Sequence, residues 1–249
     1  MLTNLWNTVL YDPLVNALAF LISIVPGEDV GIAVIILTIL VKIALLPLSG
    51  ASIKSQAKMT LLAPELEKIK KSGTSKEEQA RLTFELYKKH KTNPFSGCLL
   101  VLIQIPIIFA LYYVFLKGLN FESGVLYSFI PTPQNLNMNF LGFLDLSSKS
   151  IFLAVLAGIS QYFQAYFMPK PATSSATPGS FQESFAKSMH MQMKYVFPFI
   201  VAFIAYSVSG AIALYWVVSN IFAIGQQIYL KKKNHGTMLS VKNTPIKQS

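Results

Sequence analysis

Lys42 stands inside an otherwise apolar run, IILTILVKIALLPLS (residues 35–49). A strongly hydrated ammonium is among the least stable groups in hydrocarbon, so this residue needs partners. Thr38, Lys42 and Ser49 fall on one helical face, at intervals of four and seven. Other apolar runs carry polar side chains too: Gln104 and, two turns on, Tyr112; Gln161 and Gln164, one turn apart; Tyr215 and Ser219 on one stripe, with Trp216 and Asn220 beside them. A lone amide in such a run is most often an interhelical hydrogen-bonding residue. Amides on three helices and a lysine on a fourth predict instead a common polar cavity. Its chemistry would be the capture of anionic or polar groups rather than bond making. His90, His190 and His235 are scattered without partners at ligand spacing, and Cys98 is the only cysteine, so no metal site is expected. The chain has no HExxH, P-loop, GxSxG or pair of intramembrane carboxylates, so no catalytic residue and no cofactor are expected.

The elements that position these residues follow from composition. Hydrophobic residues make up 53% of the 249 positions, charged residues 13%, and mean hydropathy is +0.48. A soluble domain carries about a quarter charged residues, so this is an integral membrane chain of all-α class. Five spans are predicted, at 31–48, 97–116, 151–168, 195–209 and 210–230. Spans three and four are short, which points to tilt or a thinned bilayer. Residues 1–30 are read as an extracytosolic amphipathic helix (Met1–Val25) lying in the interface, plus a connector. Asp12-Pro13 is expected to restart the helix there, and the apolar stretch that follows is too short to span.

Charge sets the orientation. With the N-terminus outside and the C-terminus cytosolic, segments 49–96, 169–194 and 231–249 hold eighteen Lys/Arg, whereas the outer side holds only Lys117 and Lys149. The formal charge of +10 is therefore assigned to a membrane surface rather than to DNA. Segment 49–96 is predicted to form a cytosolic basic helical hairpin. Its apolar stripes are Met59, Leu62, Leu66 and Ile69 on one helix and Leu82, Leu86 and Tyr87 on the other, with Ser75 as N-cap. Its surface carries Lys68, Lys70, Lys71, Arg81, Lys88 and Lys89, suited to anionic lipid or to a docking partner. Residues 117–150 form an aromatic-rich outer loop, 169–194 a flexible linker, and 231–249 a basic tail expected to be disordered beyond its first turn.

Lys42 lies about six residues from the inner end of its predicted span, roughly 9 Å along a helix, within partial reach of snorkelling. Were it the boundary, the run Gly31–Val41 would be too short to cross. Its burial would cost about 2.5–3.5 kcal/mol on insertion scales, so a water-filled groove is the expected setting.

The segments ILVKIALLPLSGASIKSQAKMTLLAPELEKIK, LYKKHKTNPFSGCLLVLIQIPIIFALYYVF, QMKYVFPFIVAF and SGAIALYWVVSNIFAIGQQ resemble the YidC membrane-protein insertases and their mitochondrial and chloroplast relatives, over residues 28–230. The resemblance implies a five-transmembrane-helix insertase core around a hydrophilic groove, open to the cytosol and to lipid and closed outside. It implies insertion of small single- or double-span nascent membrane proteins with acidic tails, without nucleotide or cofactor, in the bacterial inner membrane. Possible partners are the Sec translocon, targeting machinery and the ribosome. Lys42 matches the family's basic groove residue, usually arginine; Gln104, Gln164 or Gln161, and Trp216 with Tyr215 match its groove amides and aromatic. The lysine, a longer linker around Pro171–Ser180, the missing extracytosolic domain and lipoprotein cysteine, and the short tail depart from the family pattern. An assembly chaperone without insertase activity, or a small anion channel, are the alternative readings.

Overall fold

The computed structural model describes residues 2–93, 96–116, 119, 121, 126–168, 188 and 190–242, and within these the side chains of Leu2, Thr3, Thr60, Lys70, of residues 96–103 and of those from 233 onward lie outside the description. Residues 169–187 and 189 of the predicted linker, and the side chains of Lys70 and Cys98, therefore fall outside the described residues; residues 190–194, expected to belong to that flexible linker, are helical instead.

The N-terminal segment is one continuous helix, not two. Helix α1 (Leu2–Trp6) runs through a π-helical turn, Asn7–Tyr11, into α2 (Asp12–Ile24). Pro13 has no N–H and its ring crowds the preceding turn. The chain accommodates it by widening that turn, so that the Asp12 N–H donates to Asn7 O. A second π turn, Gln192–Val196, precedes Pro198 in the same way, with the Phe197 N–H donating to Gln192 O. Fusion through the first π turn makes Asn4–Ile24 a 21-residue apolar helix, long enough by length and composition to cross a membrane. Its inner face buries Leu14, Val15, Leu18 and Ile22 in the core described below.

A turn with Gly27 at φ 69° leads into α3 (Val30–Ala44), capped by the Asp29 carboxylate, which accepts from Ile32 N at 3.0 Å. The predicted first span is bent rather than straight. Pro47 cannot continue the hydrogen-bond ladder, and the chain turns by 60° at Leu45 into α4 (Leu46–Leu61). The hairpin has three helices: α4, α5 (Ala63–Lys71) and α6 (Lys76–Lys89), the α4–α5 break falling beside Pro64. Its small core is Leu62, Leu66 and Leu86, flanked by Ile69 and Tyr87; Met59 and Leu82 stay half-buried outside it. Ser75 Oγ accepts from Glu78 N at 3.2 Å, the predicted cap.

Helix α7 (Ser96–Leu116) and α8 (Ile151–Phe167) are joined by the outer loop, in which β1 (Asn139–Phe140) pairs antiparallel with β2 (Leu144–Asp145). Helix α9 (Phe197–Ser207) and α10 (Gly210–Lys242) follow, and α10 continues through the first part of the segment expected to be a disordered tail. By length and composition alone, two described helices could cross a membrane, or three counting the bent α3–α4 pair; Gln104–Leu116 and Ile151–Phe167 are shorter apolar helices.

Two apolar cores flank α10. One joins α2, α3 and α7 through Leu18, Ile22, Val34, Ala110 and Leu111, with Tyr215 of α10 inserted. The other joins α8, α9 and α10 through Ala154, Ala157, Val201, Ala205, Ala213 and Val217. Small residues let the helices approach closely: a Cβ at Gly158 would lie 3.0 Å from Ala202 Cβ. The outward faces are apolar as well, with Phe109, Phe152, Phe199, Phe203 and Ile221 all more than half exposed. A contiguous apolar exterior of this kind marks a surface made for lipid.

Candidate functional site

The glutamine-bearing helices converge with α3 on a cavity of about 160 Å³. A water needs on the order of 10–15 Å³ of such space, so several fit. Its walls come from the α3–α4 bend (Lys42, Leu45, Leu48, Ser49, Ile53), α7 (Gln104, Ile105, Ile108), α8 (Gln161, Gln164), the π turn before α9 (Met193), the first residue of α9 (Phe197) and α10 (Trp216, Ser219, Asn220, Gln226, Gln227). Lys42 is the one charged residue lining it among the described residues.

The bend redefines the position of Lys42. Rather than lying six residues inside a straight span, it occupies the last turn of α3. Cations are favoured there by the negative end of the helix dipole. Its Nζ donates to Gln104 Oε1 at 2.9 Å, and Gln104 Nε2 in turn donates to the Tyr215 hydroxyl. The Tyr215 ring is 1% exposed and sits behind the wall, so the relay orients the Gln104 oxygen toward the lysine. Both span-three glutamines line the cavity: buried Gln161 donates from Nε2 to Gln164 Oε1 at 2.8 Å. Asn220 Nδ2 donates to Ser160 Oγ at 3.0 Å, tying α10 to α8.

Three predicted residues are not part of the wall: Tyr215, which stands behind it, Thr38 and Tyr112. Thr38 is fully buried and donates to Val34 O at 2.6 Å, a bond within its own helix. Tyr112 packs edge-on against Tyr113 at 5.9 Å and does not line the cavity. Eight residues exceed two helical turns, so Tyr112 is rotated roughly 80° from Gln104. The sequence reading missed Gln226 and Gln227. Gln226 Nε2 donates to Ser49 Oγ at 2.7 Å, closing the cavity's far end against α4. Their signal was present, since each lies seven residues after Ser219 and Asn220 and so returns to the same stripe.

Next to the cavity, Lys194 Nζ lies 5.9, 5.1 and 5.0 Å from the ring centres of Tyr162, Tyr166 and Tyr195. This cation–π cluster joins α8 to the π turn that leads into α9. On the hairpin, Lys68, Lys71, Arg81, Lys88 and Lys89 are exposed. Two of them are already paired: Lys71 with Glu67 at 2.7 Å and Arg81 with Glu78 at 2.7 Å. The hydrogen bond from Arg81 holds the Glu78 carboxyl below its ordinary range.

A polar, singly charged cavity inside an apolar helical exterior narrows the comparison with known proteins. The family model described as 60Kd inner membrane protein matches residues 20–237. The chain belongs to the YidC membrane protein insertase family. A relative from Clostridium tetani named membrane protein insertase YidC is 35% identical over 232 residues, covering 91% of this chain and 93% of that protein. One of the same name from Oceanobacillus iheyensis is 33% identical, covering 92% and 84% respectively. Another from Fusobacterium nucleatum is 34% identical, covering 90% and 98%. A crystal structure of an active YidC insertase, with its first transmembrane domain resolved, superposes with a TM-score of 0.54 at 22% identity, covering 88% of this chain and 45% of that one. At that identity the superposition speaks for the YidC fold.

Proposed function

We propose that this chain inserts nascent membrane proteins into the bacterial inner membrane, using the cavity around Lys42 as the entry groove. The observation that carries the reading is the placement of a single cation, held by Gln104 and backed by Tyr215, in a cavity otherwise lined by amides, hydroxyls and apolar groups. A short acidic tail enters from the cytosol and meets Lys42. One ion pair at 4 Å is worth about 4 kcal/mol at an effective dielectric near 20, which suffices for transient capture. The wall amides lower the desolvation cost of the tail's backbone. The client's apolar helix meanwhile moves along the exposed aromatic and aliphatic faces of α7 and α9, and partition into lipid releases it.

In this reading the N-terminus lies outside, the N-terminal helix lies in the outer interface with its inner face packed on the bundle although it is long enough to cross, and the basic hairpin faces the cytosol against anionic lipid or a targeting partner. The Sec translocon and the ribosome are candidate partners. The test is site-specific crosslinking from positions 42 and 104 to a ribosome-bound nascent single-span protein, combined with insertion assays on the purified protein in liposomes. Lys42→Arg is expected to preserve insertion of acidic-tailed clients and Lys42→Glu to abolish it. Full activity of Lys42→Glu would sink the charge role.

A further inference from the structure

The amides of the cavity do not all have partners. Gln227 is only 4% exposed and lines the cavity, yet its Oε1 accepts no hydrogen bond from any described group. A buried amide oxygen left in that state is costly, and each such atom calls for an explanation. Its neighbour Gln226 is engaged with Ser49, so the two adjacent amides differ: one braces the wall and the other keeps a buried oxygen with no partner among the described residues.

Position gives this acceptor a meaning. Trp216, Asn220, Ala223 and Gln227 form one stripe of α10, with intervals of four, three and four. At 1.5 Å per residue the stripe is roughly 16 Å long. Tyr215, at its upper end, is linked through Gln104 to Lys42. An extended peptide advances about 3.3 Å per residue, so about five residues laid along the stripe separate a side chain at Lys42 from a backbone group at Gln227. A carbonyl oxygen with no donor of its own is suited to a group that every entering sequence presents, the backbone N–H.

We infer that Gln227 is a backbone acceptor at the cytosolic end of the groove. It takes an N–H from the extended segment about five residues away from the acidic residue held by Lys42. The inference rests on the groove reading given above and extends it. The charge selects the tail, and the amide fixes the register of the chain behind it without reading side chains. A substrate preference follows: a proline at that one position, which lacks the N–H, is disfavoured.

The experiment uses the full-length protein in nanodiscs and a synthetic acidic peptide whose backbone nitrogens are N-methylated one at a time. With the unsubstituted protein, binding should fall about tenfold at a single position four to six residues from the acid, and much less elsewhere. With Gln227→Leu, the unmethylated peptide should weaken by a similar factor and that one sensitivity should disappear. A flat methylation profile on the unsubstituted protein, with binding still lost in Lys42→Glu, overturns the acceptor role alone. Binding that is indifferent to Lys42→Glu overturns the groove reading instead. Because the profile is measured on the unsubstituted chain, a poorly folding Gln227→Leu does not remove the test.

Discussion

The Lys42–Gln104 contact allows the role of charge to be separated from the role of shape. Glutamate is nearly isosteric with glutamine, so Gln104→Glu places a carboxylate oxygen where the amide oxygen now sits, 2.9 Å from Nζ. The Tyr215 hydroxyl, which now accepts from Gln104, can turn and donate to the second carboxylate oxygen, so the relay survives. The internal ion pair is worth about 4 kcal/mol at a charge separation of 4 Å and an effective dielectric near 20. A client carboxylate can offer no more than that, and it must displace one already in place. An acidic tail is therefore set back by up to about a thousandfold in occupancy of Lys42. The expected result is a protein whose thermal unfolding midpoint in detergent is unchanged or higher, and whose insertion of acidic-tailed clients into liposomes falls to the level of Lys42→Glu. Clients with neutral tails should be affected far less. The double exchange Lys42→Gln with Gln104→Lys, which moves the cation across the same contact, should recover much of the activity. Wild-type insertion of acidic clients by a folded Gln104→Glu protein would refute the electrostatic argument.

Other expectations concern what holds the groove in shape. Gly158→Leu should cost about 1–3 kcal/mol, because even a Cβ there would lie 3.0 Å from Ala202 Cβ and 3.1 Å from Pro198 O. A midpoint in a detergent melt equal to that of the parent would show that α8 and α9 can separate freely. Asp29 accepts from Ile32 N at 3.0 Å and from Leu141 N at 3.2 Å, joining the start of α3 to the outer loop. Asp29→Ala should lose about 1.5–3 kcal/mol per charged hydrogen bond and speed amide exchange across residues 126–146, as read by mass spectrometry. Unchanged exchange there would mean that the companion contact, Glu28 Oε2 accepting from Asn135 N at 2.6 Å, holds the loop by itself.

The polar wall was legible in the sequence because polar residues interrupt several apolar runs together, whereas any one amide alone would be read as an interhelical hydrogen-bonding residue. Lys42, Gln104, Gln161, Gln164, Trp216, Ser219 and Asn220 all face one cavity. Thr38 and Tyr112 misled for a stated reason: a helical hydroxyl can bond back to its own turn, and eight residues do not return to the same face. What spacing alone could not supply was the effect of prolines on long helices. Pro13 and Pro198 sit after π turns and leave their helices continuous, whereas Pro47 follows a 60° bend. The same residue type has opposite outcomes: two turns before proline widen and one bends. That difference moved Lys42 from mid-span to a helix end, and it made the N-terminal segment longer than its apolar run suggested.

The bend and the shortness of the helices are one feature seen twice. Helix α3 spans roughly 22 Å over its 15 residues and α8 roughly 26 Å over its 17, against a hydrocarbon core of about 30 Å. In an ordinary bundle such helices would strain the bilayer or expose their ends. Here the Lys42 end of α3 and the Gln164 end of α8 border a cavity with room for water, so that side of the bundle does not demand full hydrocarbon length. Lys42 is placed where three effects act together: the C-terminal end of α3, the Gln104 oxygen, and a cavity able to hold water. Lengthening α3 would remove the first, and a filled cavity would remove the third. All three effects favour the charged form of Lys42 because the helix that carries it stops short, and under the proposed function the same shortness would reduce the apolar distance that an entering tail must cross.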